Sequence, residues 1–297
     1  MWRAVAAAAV ACATVISAAA PAFAGSSIVG GGSGFAAPEI DQWKADTAVQ
    51  PFNLTINYVA QGSSFGRNAF TQGTLDFGAS DIVYPPPEKP QLQSQKCGGQ
   101  PLVNCFVYVP VSAGGLAFMY NVTDASGNRV TDLRLTRRAA CGIFTGAITR
   151  WNDPELVKYN PRLASFNRPI RPVIRADGAG ESYVFSQFCI AVEPQMWQAF
   201  IADRLAHDAA NVADDFKAGQ PVSNWPQNWG LANPVPFADG VANVVASPDI
   251  GTDTIGYDAA AYAVQRSFPV ASVQNAAGVF TQPTETNVTV ALGYADG

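Results

Sequence analysis

From Ser26 onward, short apolar runs alternate with amphipathic stretches. SSIVGG reads as a strand, and a helix is expected from about Ala37, with Pro38 in its first turn and Ile40 and Trp43 on one face. NLTINYVA alternates apolar and polar residues as a half-buried strand does, GSSFGRNAFTQG opens a second helix, and LDFGASD is a third strand. YPPPEKPQLQSQKCGGQPLVNC is rich in turn formers and reads as a loop. FVYVPVSAGGLAFMYNV gives two strand-like runs split by Ser112–Gly115, and LTRRAACGIFTGAI gives a helix. The buried-looking strand PIRPVI then runs into RADGAGESYVF, which reads as a turn followed by a helix. Residues 194–218 are helical with mixed charge. VANVVASPDIGTDTIGYDAAAYAVQ reads as strand, turn, strand and a helix or loop. Strands and helices alternate throughout, so the fold class is α/β. No internal repeat or low-complexity linker interrupts it.

The first 24 residues stand apart. MWRAVAAAAVACATVISAAAPAFA has an early Arg3, an uncharged apolar run and Ala-Phe-Ala before Gly25, the features of a secretory signal peptide. A lipid anchor would use Cys12, but the residues ahead of it lack a leucine. Export changes the reading of the other cysteines. Cys97, Cys105, Cys141 and Cys189 are an even number in an oxidising compartment, so two disulfides are expected. Three pairings are open; Cys97–Cys105, closing a local loop, and Cys141–Cys189, joining two helices, are favoured. With no CxxC pair and a single histidine, zinc is disfavoured. The chain carries 18 Lys+Arg against 23 Asp+Glu, and loss of Arg3 takes the net charge to about −6. That balance argues against nucleic acid and anionic membranes as partners, yet leaves room for a small anion at a local site.

Three strand-to-helix junctions share one chemistry: GGGSGFAAP (30–38), QGSSFGR (61–67) and RADGAGES (175–182). Each uses small residues that let a ligand approach the backbone, then exposes the N–H groups of a helix start. Asp81 closes the strand LDFGASD at the same kind of position. Arg175 can fork two hydrogen bonds to an oxyanion. The carboxylates Asp81 and Asp177 would repel a bare anion but accept a hydrogen bond from one that still carries a proton. Phosphate at neutral pH does and sulfate does not, so this mixture of signs selects phosphate.

In GGGSGFAAP, YVAQGSSFG, LDFGASD, IFTGAITRWNDP, RADGAGESYVF and TIGY, taken in that order, the chain resembles the periplasmic phosphate-binding proteins, the substrate-capturing component of phosphate ABC transporters. The resemblance runs from about residue 28 to 293. It implies two α/β lobes joined by crossing strands, closure on phosphate without chemistry or cofactor, and delivery to a membrane permease by a monomer. On this basis lobe one would comprise 25–108 plus 257–297 and lobe two 109–256. Carried over by position, the ligand contacts are the Phe35 backbone, Ser63, Asp81, Arg175, Asp177 and Gly180. Three positions depart from the family pattern: Gly34 stands for a threonine, and Ala179 and Glu181 for a serine and a threonine. Backbone N–H groups survive these changes; Glu181 is expected to turn outward as a first-turn acid, and Arg67 to offer a replacement positive charge. The family continues beyond a GYADG-like point with strands and helices that complete the first lobe, so that lobe is expected to be incomplete here.

Two other functions compete with this one. Gly62–Gly66 fits the G-x-S-x-G elbow of α/β-hydrolases with Ser64 as nucleophile, but the only histidine, His207, lies on a polar helix. A degenerate secreted domain serving adhesion or sensing would follow from the lost hydroxyls. Trp225 and Trp229 are read as loop anchors rather than a sugar platform, and Phe185, Phe188, Cys189 and Val192 as one core-facing helix stripe.

Overall fold

The computed structural model describes residues 25–124 and 126–294; the signal-peptide segment and Cys12 lie outside them. The chain begins with β1 (Ser26–Gly32), α1 (Ala37–Thr47), β2 (Leu54–Val59), α2 (Ser63–Thr71) and β3 (Phe77–Ala79). These strands form a three-stranded parallel sheet in the order β2-β1-β3. The loop expected after Tyr84 contains a short helix, α3 (Lys89–Gln95), anchored by the buried Leu92.

The second lobe is larger. β4 (Leu116–Asn121), β5 (Arg134–Leu135), α4 (Arg137–Thr145), α5 (Pro154–Val157), β6 (Arg171–Arg175), α6 (Gly180–Val192), α7 (Pro194–Asp208), α8 (Asp214–Lys217), β7 (Asn233–Val235) and α9 (Phe237–Ala246) follow in order. β8 (Thr254–Ala259), α10 (Ala260–Gln265), β9 (Ser272–Gln274), β10 (Phe280–Thr281) and α11 (Glu285–Leu292) complete it. Its main sheet runs β4-β8-β6-β7, with β4 antiparallel to β8 and the other pairs parallel.

Local sequence explains the element ends. Thr136 caps α4 by accepting the Ala139 N–H at 3.0 Å, and Gly146 stops that helix in the left-handed region. Asp153 caps α5 in the same way. VANVVA, expected as a strand, is helical in α9. A short apolar run cannot by itself separate a buried strand from a buried helix, and Val241, Ala242 and Val245 recur on one face that packs on β6 and β8.

One aromatic core holds the second lobe. Phe144, Phe185, Trp197, Trp225 and Tyr257 are fully buried and meet ring to ring, with Phe185 stacked on Trp225 at 5.1 Å between centroids. The Trp225 indole donates to the Phe144 carbonyl at 3.1 Å, and Trp229 donates to Pro226, so both tryptophans are loop anchors. Phe185 and Cys189 enter this core, with Phe188 and Val192 packed at its margin. Both expected disulfides are present: Cys97–Cys105, and Cys141–Cys189 tying α4 to α6.

The distribution of chain between lobes differs from the expectation. Residues from 257 on were assigned to the first lobe, but β8 pairs with β4 and β6, and β9 pairs with β5 and β10. β8 is buried along its whole length between the helices on either face, which fixes it centrally in the second lobe's sheet. Among the described residues, a single run, 106–115, joins the lobes. Its first half, FVYVPV, was expected to be a strand and is not one. It is extended, its Val107, Val109 and Val111 face solvent, and no described backbone group completes a ladder with it.

Candidate functional site

The site is built where the amino ends of α1, α2 and α6 converge with the strand ends that feed them. β1 leads to Ser33, Gly34 and Phe35; β2 leads to Gly62 and Ser63; β3 leads to Asp81; and β6 delivers Arg175 into the turn before α6. Gly62 has φ 91°, a conformation that favours glycine, and a Cβ there would lie 2.5 Å from Asp177 Oδ2 of the other lobe. Gly180 is tighter still. A Cβ on it would fall 2.3 Å from Asp81 Oδ2 and 2.7 Å from Ser63 Oγ. Across the same junction the Ser64 N–H donates to the Gly178 carbonyl at 2.9 Å, and the Tyr262 hydroxyl donates to the Gly34 carbonyl at 2.7 Å.

These contacts bring Ser63, Asp81, Arg175, Asp177, Gly180 and Glu181 together, with Ala179 next to Gly180 in the chain and Gly34 and Phe35 following Ser33. Ser63 and Ser33 donate their hydroxyls to the two oxygens of Asp81, the former at 2.8 Å. Tyr58 donates to the Ser33 carbonyl at 2.7 Å and braces the loop from beneath. Gly34 and Ala179 are buried, Phe35 is half-buried, and Ala179 sits at the cap of α6. Arg175 is fully buried, and its fork is engaged by Asp177, Nε to Oδ1 at 2.8 Å and Nη2 to Oδ2 at 2.6 Å. Asp177 Oδ1 also accepts the Phe237 N–H at 2.9 Å.

Two expectations are corrected. Glu181 does not turn outward. Its residue is 2% exposed, and Oε1 lies 3.0 Å from Arg175 Nη1. The first turn of α6 faces the lobe junction, so an acid there has nowhere solvated to go. Arg67 supplies no charge to spare, because Glu88 holds its Nε at 2.7 Å and its Nη2 at 3.0 Å. The hydrolase reading also fails geometrically. Ser64 Oγ accepts from Arg67 at the lobe junction, while His207 is exposed on α7 against Asp203, beside a groove of about 640 Å³ lined by Ile143, Arg204 and Trp229.

Sequence reasoning missed Asp258. It stands in the buried strand β8, with Oδ2 4.0 Å from Arg175 Nη1. A lone carboxylate inside the apolar run TIGYDA was the available signal. Four carboxyl groups thus surround one guanidinium. Burial, opposed by Arg175, pushes Glu181 up to about 7. Burial and the neighbouring Glu181 push Asp258 well up, and burial raises Asp81 against the pull of Ser33 and Ser63. For Arg175, burial works against its charge but Glu181, Asp177 and Asp258 more than restore it. The arrangement gathers one fixed cation, two hydroxyls, a helix start and carboxyls whose burial favours their protonated forms.

Two lobes thus face each other across helix starts and a buried arginine. Residues 17–292 match the model of the PBP superfamily domain, and the chain belongs to that superfamily. Among named relatives, it is 30% identical over 270 residues to the phosphate-binding protein PstS of Xylella fastidiosa, covering 91% of this chain and 63% of that one. It is 28% identical over 271 residues to PstS of Methanocaldococcus jannaschii, covering 88% and 60%. The chain thus spans less than two thirds of the length of these relatives. Solved structures agree on the fold. A DING protein superposes with TM-score 0.61 at 18% identity over 91% of this chain and 69% of its own. A putative phosphate ABC transporter substrate-binding protein with bound phosphate from Clostridium perfringens superposes with TM-score 0.58 at 17% identity, covering 91% and 82%.

Proposed function

We propose that this protein is an exported solute-binding protein that captures inorganic phosphate between its lobes and presents it to a membrane ABC permease. The observation that carries the reading is the fully buried Arg175 at the end of β6, followed by a helix start whose Gly180 lies against Ser63 and Asp81 of the other lobe. Arg175 Nη1 and the first N–H groups of α6 supply donors to phosphate oxygens, joined by the Ser63 and Ser33 hydroxyls when these turn from Asp81 to the ligand. Asp81 and Asp177 accept from the ligand's own protons, which sulfate lacks. The relatives named as phosphate-binding proteins, and the leader-like first 24 residues, support the same reading and a periplasmic or extracellular location. The protein acts as a monomer and performs no chemistry on its ligand.

Calorimetric titration of phosphate, arsenate and sulfate into ligand-stripped protein tests this. Phosphate and arsenate bind, sulfate does not, and Arg175→Ala abolishes the heat. No heat from phosphate or arsenate with demonstrably folded protein would refute the proposal.

A further inference from the structure

Glu181 is the feature of the site that a simple anion receptor does not need. Its carboxyl is enclosed, it lies 3.0 Å from Arg175 Nη1 but off the line of that N–H, and neither of its oxygens has a hydrogen-bond partner. Arg175 Nη1 and Asp258 Oδ2 are likewise without one. Three buried polar groups, all aimed at the same small volume, leave their hydrogen-bonding capacity unused, which is costly unless a ligand engages them. The charged and titratable groups facing Glu181 are Arg175 and Asp177 from β6 and its turn, Asp258 and Tyr257 from β8, Asp81 from the β3 exit, Tyr58 from β2 and Tyr262 from α10. One cation among four carboxyls cannot accommodate an incoming anion while all four are ionised.

We infer that Glu181 couples phosphate capture to uptake of a proton: the carboxyl must be protonated for the oxyanion to reach Arg175 Nη1, and once protonated it donates its O–H to a phosphate oxygen. The inference rests on the phosphate reading above and adds a pH dependence to it. The direction in which burial moves the Glu181 carboxyl places this protonation near neutrality rather than in strong acid. An ionised Glu181 competes with the ligand for Arg175 Nη1, and a neutral one completes the donor set in place of the hydroxyl that a threonine would bring. Above the pH at which the empty site gives up this proton, affinity falls by about tenfold per pH unit on account of this group alone.

The test is phosphate titration between pH 5.5 and 8.5 for the wild type, Glu181→Gln and Glu181→Thr, each in two buffers of different ionisation enthalpy. Phosphate's own titration is common to all three proteins and cancels in the difference. At pH 8.5 the inference expects wild-type binding to take up about one more proton than either variant, a difference that vanishes toward pH 5.5, and the variants to bind about tenfold or more tighter than wild type. Wild type silent at pH 8.5 while Glu181→Gln binds would support it equally. Equal proton uptake and parallel pH profiles would overturn the role of Glu181 and leave the phosphate reading intact. Silence from all three at every pH, with near-ultraviolet circular dichroism showing native folds, would overturn both.

Discussion

Replacing Gly180 with alanine separates the geometry of closure from the stability of the fold. The added Cβ would sit 2.3 Å from Asp81 Oδ2, 2.6 Å from Asp81 Cβ and 2.7 Å from Ser63 Oγ. Asp81 cannot swing aside cheaply, because Ser33 and Ser63 hold both its oxygens. Relief therefore requires the lobes to part by roughly an ångström, which withdraws Ser63 and Asp81 from a ligand seated on Arg175. Two charge-assisted hydrogen bonds lost at about 1.5–3 kcal/mol each amount to about 3–6 kcal/mol, or roughly 10²–10⁴ in the phosphate dissociation constant. Gly180 is the first residue of α6, where alanine is the better helix former, so the urea midpoint should hold or rise slightly. Gly240→Ala is the control. Its Cβ would meet Val235 at an ordinary 3.5 Å, so binding should match the wild type. Calorimetry and urea denaturation on the three proteins decide the matter. Phosphate binding by Gly180→Ala within threefold of wild type would show that ligand retention does not depend on the close approach of Gly180 to Asp81.

The two disulfides should differ in weight. Cys141–Cys189 spans a sequence separation of 48 and Cys97–Cys105 one of 8, so loop closure assigns them about 4 and about 2.6 kcal/mol respectively. The alanine pair at 141 and 189 should lower the urea midpoint further than the pair at 97 and 105, and the reverse order would contradict the loop-entropy reasoning. Glu181 also links stability to pH. Its carboxyl is raised in the fold from 4.5 to about 7, so the native state binds more protons than the unfolded chain between those values. Its contribution is complete below about 4.5 and is lost as pH rises through 7, a difference on the order of 3 kcal/mol. Glu181→Gln should accordingly flatten the fall in stability between pH 5 and pH 8 measured by urea denaturation; an unchanged profile would show that the carboxyl is not the group responsible. Tyr262→Phe removes the hydroxyl that bonds the Gly34 carbonyl across the lobes, and should weaken phosphate binding by about 0.5–1.5 kcal/mol, read by calorimetry. No loss would show that this bond does not favour the closed form.

Much of the site was legible because it is written in local motifs. Arg175, Asp177 and Gly180 lie within one turn, and Ser63 and Asp81 each end a strand, so short-range sequence carries their placement. The cysteine pairing was legible for a similar reason, one bridge being local and the other linking two recognisable helices. Glu181 and Asp258 were misread or missed because their environment is set by a lobe junction and by a ladder more than eighty residues from β6 in sequence. A first-turn acid is ordinarily solvated, and nothing within α6 says that this turn faces another lobe. VANVVA failed for a different reason: six residues with one polar position, the exposed Asn243, are too few to tell a helical period from an extended one. The allotment of 257–297 to the first lobe missed the pairing of β8 and β9 because strand order in a sheet is a non-local property.

Among the described residues, the run from 106 to 115 that joins the lobes has a mechanical character of its own. Phe106 packs edge-on against Phe70 and Tyr84, and the Tyr108 hydroxyl accepts the Tyr84 N–H at 2.9 Å, so the run is fixed to the first lobe as far as Tyr108. Beyond that point it lacks ladder bonds, so bending it breaks no sheet, and its remaining residues permit a separation of at most about 25 Å. How readily the lobes part can be tuned through the stiffness of Val109–Gly115 without altering any residue of the site.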